Sequence, residues 1–345
     1  VPWPPGALVG EDVPLAVGEH FRVVLGNHSL QHVEETLADD LSTKGYSFGQ
    51  GTGIVIELRT TAQHGTEGYS LLVSGSRIEV EGSSELAVFW GTRTLLQWLP
   101  PPFTTVPSLF VPFDSPVIGF RGLMVDNARF PHSLDWHIQT VKRLALLKMN
   151  VYHLHGTDSG SYTFPSRIFP QLPTAGALDE EELSVLLDVA HRYHVTIVPE
   201  LDVPCHAHWL AAQIPELRAR RCSSTHEQHC PLDMGPEARE IMANLLEEIM
   251  NLFPSRWVHI GGDEVHPHPQ MTTYCQCNDT QGLREVKEEY HGLINHLAAI
   301  VRGRGRTPIV WEVFTHLAPH THRTQSSTTS LFSTTLWLLT NIEGI

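Results

Sequence analysis

The chain has 345 residues, enough for a small domain and a large one or for a single large α/β barrel. With 41% hydrophobic and 18% charged residues, 24 Pro and 26 Gly, its composition is that of a globular protein and excludes a fibrous or disordered chain. The formal net charge of −15 argues against nucleic acid as a partner, because phosphate binding needs clustered Lys and Arg. No apolar run approaches the roughly 18 residues that a membrane span requires.

In chain order, residues 28–44 predict a helix. The β-rich runs Ile54–Leu58, Tyr69–Val73 and Arg77–Val80 predict strands separated by Gly and Ser turns, and residues 86–98 predict a second helix. Together they imply a small α+β domain over residues 1–115, with one sheet face covered by helices. The run Pro100-Pro101-Pro102 then breaks regularity, and the rhythm changes from Gly119. Strands are expected at 122–126, 151–155, 195–200, 256–260 and 308–312, with helices at 134–149, 180–194, 236–252 and 281–302 between them. This alternation predicts parallel strands joined by right-handed crossovers. An open doubly wound sheet and a closed barrel both fit it. Asp126, His155, Glu200 and the Asp263-Glu264 pair fall at or beyond the carboxyl ends of strands, which favours a (β/α)8 TIM barrel over residues 116–345. Neither a dinucleotide fingerprint nor a phosphate loop is present, so no cofactor is expected.

The sharpest chemical signal is Trp257-Val258-His259-Ile260-Gly261-Gly262-Asp263-Glu264. Two glycines allow backbone and ligand to approach closely, and two adjacent carboxylates follow. Crowded carboxylates repel, which pushes one pKa up and suits a proton donor. A plain pair of surface acids at a strand end would read the same way. The 22 His raise the question of metal, through His153-x-His155, His206-x-His208 and His266-x-His268. Strand alternation places any i, i+2 pair on one face, and no lysine or aspartate completes a ligand set, so no metal is expected. Five Cys are present, and Cys275-Gln276-Cys277 is too tight for zinc. Sequons at Asn27 and Asn278 suit a secretory-pathway glycoprotein.

GGDE after an apolar strand resembles the signature of family-20 glycoside hydrolases, the β-N-acetylhexosaminidases. Further likeness runs through Gly119–Phe130, Lys148–His155 with Asp158, Val198–His206 and Val310–Phe314, and through Glu67–Leu71 and Gly91–Leu95 upstream. The resemblance implies an exo-acting, retaining enzyme that removes terminal β-GlcNAc or β-GalNAc from glycoconjugates, with the substrate's own acetamido oxygen as nucleophile. It assigns Glu264 as general acid and base, and Asp263 as the group that orients the acetamide. Arg121 is implied to grip sugar hydroxyls. Asp158 and His206 line the pocket, while Trp311 and Trp337 form walls of an aromatic box. Spacing and resemblance together imply a disulfide joining Cys222 or Cys230 to Cys275 or Cys277. The implied partners are N-acetylhexosamine-containing glycans and the implied location is lysosomal or secreted. The assembly stays open, with a homodimer among its forms.

The pattern departs from the family in places. Cys205 replaces a glycine before His206, and only Asp158 remains of two consecutive acids. The chain starts at Val1 without Met or a leader, so a targeting segment is expected to be removed or not included. After Trp311 one more strand is expected, around Ser330–Trp337, which implies a C-terminally incomplete barrel of about six strands, poorly soluble and nearly inactive alone. Two alternatives therefore stay open: a truncated sugar-binding pseudoenzyme, and a metal-dependent barrel hydrolase.

Overall fold

The computed structural model describes residues 4, 6–14, 20–48, 53–62, 65–75, 77–102, 105–218, 232–265 and 280–311. The amino-terminal half is a seven-stranded sheet in the order β1-β7-β5-β6-β4-β2-β3. Its strands are β1 (Leu8–Pro14), β2 (His20–Leu25), β3 (Ser47–Phe48), β4 (Ile54–Thr60), β5 (Tyr69–Ser74), β6 (Arg77–Gly82) and β7 (Thr105–Asp114). Helix α1 (Gln31–Thr43) lies between β2 and β3, and α2 (Glu85–Trp98) follows β6.

Along β4, Ile54, Ile56 and Leu58 are buried while Val55, Glu57 and Arg59 are half-buried. This period-2 pattern gives a sheet with one face in the core. The Ser84 side chain caps α2 by accepting from the Ala87 amide at 3.1 Å. Gly91 lets α2 approach the sheet, since a Cβ there would lie 2.4 Å from Val80 Cγ1. Sequence patterns recover β4, β5, β6 and both helices. They miss β1, β2, β3 and β7.

The second half is a sheet of five parallel strands in the order β14-β13-β12-β9-β8. These are β8 (Gly122–Asp126), β9 (Val151–His155), β12 (Thr196–Glu200), β13 (Trp257–His259) and β14 (Thr307–Ile309). Between them run α3 (Leu134–Leu146), α4 (Glu180–Arg192), α5 (His208–Gln213), α6 (Pro236–Leu252) and α7 (Thr280–Gly303). All of β9 is buried, the signature of a parallel strand covered on both faces. Helix α6 starts with Pro236, whose missing N–H costs nothing at that position, and buries Ala238, Met242, Leu245, Leu246 and Ile249. A hairpin of β10 (Thr157–Asp158) and β11 (Ser161–Tyr162) follows β9, and sequence patterns do not show it.

The chain forms two compact units. One comprises residues 1–123, 135–151 and 188–196, and the other comprises 124–134, 152–187 and 197–345. The strand expected at Ser330–Trp337, the Asn278 sequon and the cysteines at 222, 230, 275 and 277 lie outside the described residues.

Candidate active site

The chemistry-bearing side chains collect at the carboxyl ends of the parallel strands. Strand β12 pairs with β13 so that Glu200 stands beside His259, and the GGDE turn follows β13 directly. Gly261 has φ +66°, and a Cβ there would meet Asp202 Oδ1 at 2.4 Å and the Val203 amide at 2.6 Å. Only glycine passes that point. The Gly262 carbonyl accepts from the Tyr290 hydroxyl at 2.9 Å, which ties the turn to α7.

Glu264 and His206 both adopt left-handed backbone, with φ +55° and +51°. Such strain costs roughly 1–3 kcal/mol per residue and persists where the surroundings over-determine it. Here it aims two side chains at each other. His206 Nε2 lies 3.1 Å from Glu264 Oε2 and 3.8 Å from Asp263 Oδ2. The Glu264 side chain remains 51% exposed and that of Asp263 32%, so both acids reach solvent.

A third carboxyl, Asp202, joins this pair, and the sequence reading overlooked it. Burial, then the neighbouring Glu200 and Asp263 charges, push its pKa well above the ordinary carboxyl range. Both Asp202 oxygens and Asp263 Oδ1 are buried without other hydrogen-bond partners among the described residues. Two ionised carboxylates have no donor between them. A proton on Asp202, which its raised pKa favours, would supply one for a hydrogen bond to Asp263.

Behind this rim lies a sealed layer around Glu200, which is fully buried. His155 Nδ1 at 2.6 Å and His153 Nε2 at 2.8 Å reach Glu200 Oε2. Trp311 Nε1 donates to Oε1 at 2.7 Å, and His259 Nδ1 lies 3.1 Å from the same oxygen. The His259 nitrogen also lies 3.1 Å from the Gly261 amide, and it can donate to the one or accept from the other, not both at once. Burial disfavours the His155 imidazolium, yet Glu200 and Asp158 outweigh it and raise the ring's pKa to about 11. Burial wins at His153 and lowers its pKa to about 4. Burial also opposes the Glu200 charge, but His259, His155 and His153 hold its pKa well below the usual carboxylate range.

The His155 ring continues outward. Its Nε2 lies 3.1 Å from Asp158 Oδ2, which pairs with Arg129 at 2.7 Å. Arg129 also pairs with Asp126 at 2.7 Å and leaves 49% of its side chain exposed. Against the burial that would raise it, the His155 and Ser159 hydrogen bonds and the Arg129 charge lower the Asp158 pKa.

The structure thus brings together Asp263, Glu264, His206, Asp158 and Trp311 of the residues singled out in the sequence. It does not bring Arg121 among them. Arg121 precedes β8 at the strand's amino end and donates to the Lys148 and Ile118 carbonyls at 2.7 Å each. It also pairs with Glu67 at 3.0 Å and lies over the Trp90 ring. The arginine at the carboxyl end is Arg129, and the signal for it was position: three residues after Asp126, on the side where the other polar residues fall. The His153-x-His155 pair serves Glu200. Trp337 and His266-x-His268 lie outside the described residues. Cys205 is buried and disulfide-bonded, a role the sequence reading did not give it.

Comparison with known proteins places both halves of the chain in one family. Residues 119–335 match the family model described as the catalytic domain of glycosyl hydrolase family 20, and residues 3–112 match its domain 2. The beta-hexosaminidase of Vibrio furnissii is 27% identical over 295 residues, covering 76% of this chain and 48% of the relative. The beta-hexosaminidase subunit beta of Entamoeba histolytica is 26% identical over 268 residues, covering 71% and 47%. The crystal structure of a family-20 exo β-N-acetylglucosaminidase from Vibrio harveyi, in complex with N-acetylglucosamine, superposes with a TM-score of 0.75 at 26% identity. It covers 90% of this chain and 54% of that one. The chain therefore spans about half the length of the curated relatives it matches.

Proposed function

The chain belongs to glycosyl hydrolase family 20, and from that membership we propose that it carries the centre of an exo-acting, retaining β-N-acetylhexosaminidase. The substrates are glycoconjugates ending in β-GlcNAc or β-GalNAc. One observation carries the reading: Glu264, half-exposed, stands 3.1 Å from His206 beside Asp263, on backbone strained into that arrangement.

Glu264 gives its proton to the glycosidic oxygen as the bond to the anomeric carbon breaks. The substrate's acetamido oxygen attacks the anomeric carbon from the opposite face and closes an oxazolinium ring, an exception to the two-carboxylate scheme. Asp263 accepts the acetamido N–H and offsets the positive charge on that ring. Asp202, whose raised pKa favours the protonated form, lies beside Asp263 to fix its carboxylate in place. Glu264 then takes a proton from water, which opens the ring and restores the β configuration. An intramolecular nucleophile reacts fast only in its attacking geometry, so the acetamide needs walls. Trp311 supplies one, by its place beside the GGDE turn, where its amide donates to the Gly261 carbonyl at 3.0 Å. Arg129, in place of Arg121, grips the sugar's far hydroxyls. Its planar fork suits two neighbouring oxygens, and half of it faces solvent.

The same reading takes residues 1–115 as a non-catalytic domain and 116–345 as the catalytic one. It places the protein in lysosomes or outside the cell, with exposed Asn27 glycosylated. Assay of 4-nitrophenyl β-N-acetylglucosaminide, with NMR detection of the first-formed anomer, tests the proposal. Release of the β-anomer supports it. Release of the α-anomer overturns retention, and sugar binding without turnover makes the chain a lectin-like relative.

A further inference from the structure

We propose that Glu200 is a positioning residue for hydrolysis: its single buried carboxylate aligns both the Trp311 indole and the His155–Asp158–Arg129 chain. The inference rests on reading Trp311 as a wall of the acetamido pocket and Arg129 as the sugar clamp. An ionised carboxylate only accepts, at about four lone-pair sites. Four nitrogens stand within 3.1 Å of these two oxygens: His155 and His153 at Oε2, and Trp311 and His259 at Oε1. They come from β9, from β13 and from the segment after β14, so one side chain ties three strands together at the site.

From Glu200 the charges alternate outward through His155, Asp158 and Arg129 to Asp126, at 2.6, 3.1, 2.7 and 2.7 Å. On the other side the Trp311 ring is held against the His259 ring at 4.6 Å between centroids. The same carboxylate therefore orders the surface facing the acetamide and the arginine facing the hydroxyls. Glutamine cannot replace it. Whichever way it faced, an amide would turn its NH2 toward a donor, the Trp311 indole on one side or the His155 ring on the other.

The test compares wild-type protein, Glu200→Gln and Glu200→Asp, all uniformly 15N-labelled. The Trp311 indole resonance is identified by its absence in Trp311→Phe. In the wild type this N–H should exchange slowly with solvent, and in Glu200→Gln its resonance should move. Misplacing the acetamido wall by about 1 Å costs on the order of 10²-fold. The Gln variant should therefore lose about that much kcat/KM on 4-nitrophenyl β-N-acetylglucosaminide, chiefly in kcat, and Glu200→Asp should recover part of it.

An unmoved indole resonance, or a moved one with kcat/KM within about twofold of wild type, overturns the inference. If Glu200→Gln does not fold, the wild type alone decides, because a Trp311 indole exchanging as fast as an exposed one is equally fatal. An inactive wild type defeats the hydrolase reading by itself. In that case N-acetylglucosamine binding decides: weaker binding by Glu200→Gln upholds the positioning role, and equal binding removes it.

Discussion

Glu200, His153 and His259 are sealed from solvent, whereas Glu264 and Asp263 expose 51% and 32% of their side chains a few ångströms away. Both layers use carboxylates and imidazoles at the carboxyl edge of one sheet. In the inner layer every charge has a fixed partner: Glu200 is held ionised, His155 keeps its proton to a pKa of about 11, and His153 gives it up at about 4. Neither His155 nor His153 changes its charge near neutral pH. On the rim the partners are fewer and solvent or substrate can reach them. Burial around a shared carboxylate makes a scaffold, and looser pairing at the surface makes a reagent.

The largest effect expected at the rim is that of Glu264→Gln, which removes the proposed proton donor and should lower kcat/KM by roughly 10²–10⁴-fold. The loss should be greatest for natural glycosides and least for nitrophenyl ones, whose leaving groups need little protonation. Equal losses on the two would remove Glu264 from the acid role.

Asp263→Asn keeps the shape but loses the charge facing the oxazolinium ring. A drop of about 10²–10³-fold in kcat is expected, by analogy with removing one electrostatic stabiliser. The melting temperature should hardly move. A large fall in melting temperature with intact kcat would shift Asp263 from the reagent side of the comparison to the scaffold side.

The two arginines sharpen the contrast further. Arg129→Met should raise KM about 10–100-fold, in line with a lost charge-assisted pair of about 1.5–3 kcal/mol. Arg121→Met should leave KM and kcat within about twofold while lowering the melting temperature, because Glu67 keeps the Trp90 indole but loses its cationic partner. The reverse result in steady-state assays would restore Arg121 as the sugar-gripping residue.

The smallest expected effect belongs to the inner layer, at His155. Its folded-state pKa of about 11 lies above the ordinary 6.5. The stabilisation it brings is complete below about pH 6.5 and is lost as pH rises through about 11. The melting difference between wild type and His155→Gln should therefore narrow across that window. A difference that widens with pH would mean that His155 is neutral in the folded protein.

Much of the fold was legible where pattern and local geometry agree. The strands at 122–126 and 151–155 were readable because covered parallel strands show as short apolar runs between amphipathic helices. Strand β7 was not readable: Pro107 and Pro112 interrupt it, and it exists through pairing with β1 and β5. The β10–β11 hairpin, which carries Asp158, is too short to leave any periodicity.

The sequence by itself determined the strand–glycine–acid turn of Gly261–Glu264, because those residues are neighbours and the glycines dictate the backbone. It also determined the alternation of strands and helices, which depends on local hydrophobic period. Only the tertiary structure decided that Arg129 and not Arg121 stands at the carboxyl ends of the strands, that Asp202 lies buried beside Asp263 with its pKa raised, and that Glu200 gathers nitrogens from β9, from β13 and from the segment after β14. Those facts depend on strand register, such as Glu200 opposite His259, between residues far apart in sequence. They depend equally on burial and on the charged partners that oppose it, neither of which a local pattern encodes and which together set the charge a side chain carries.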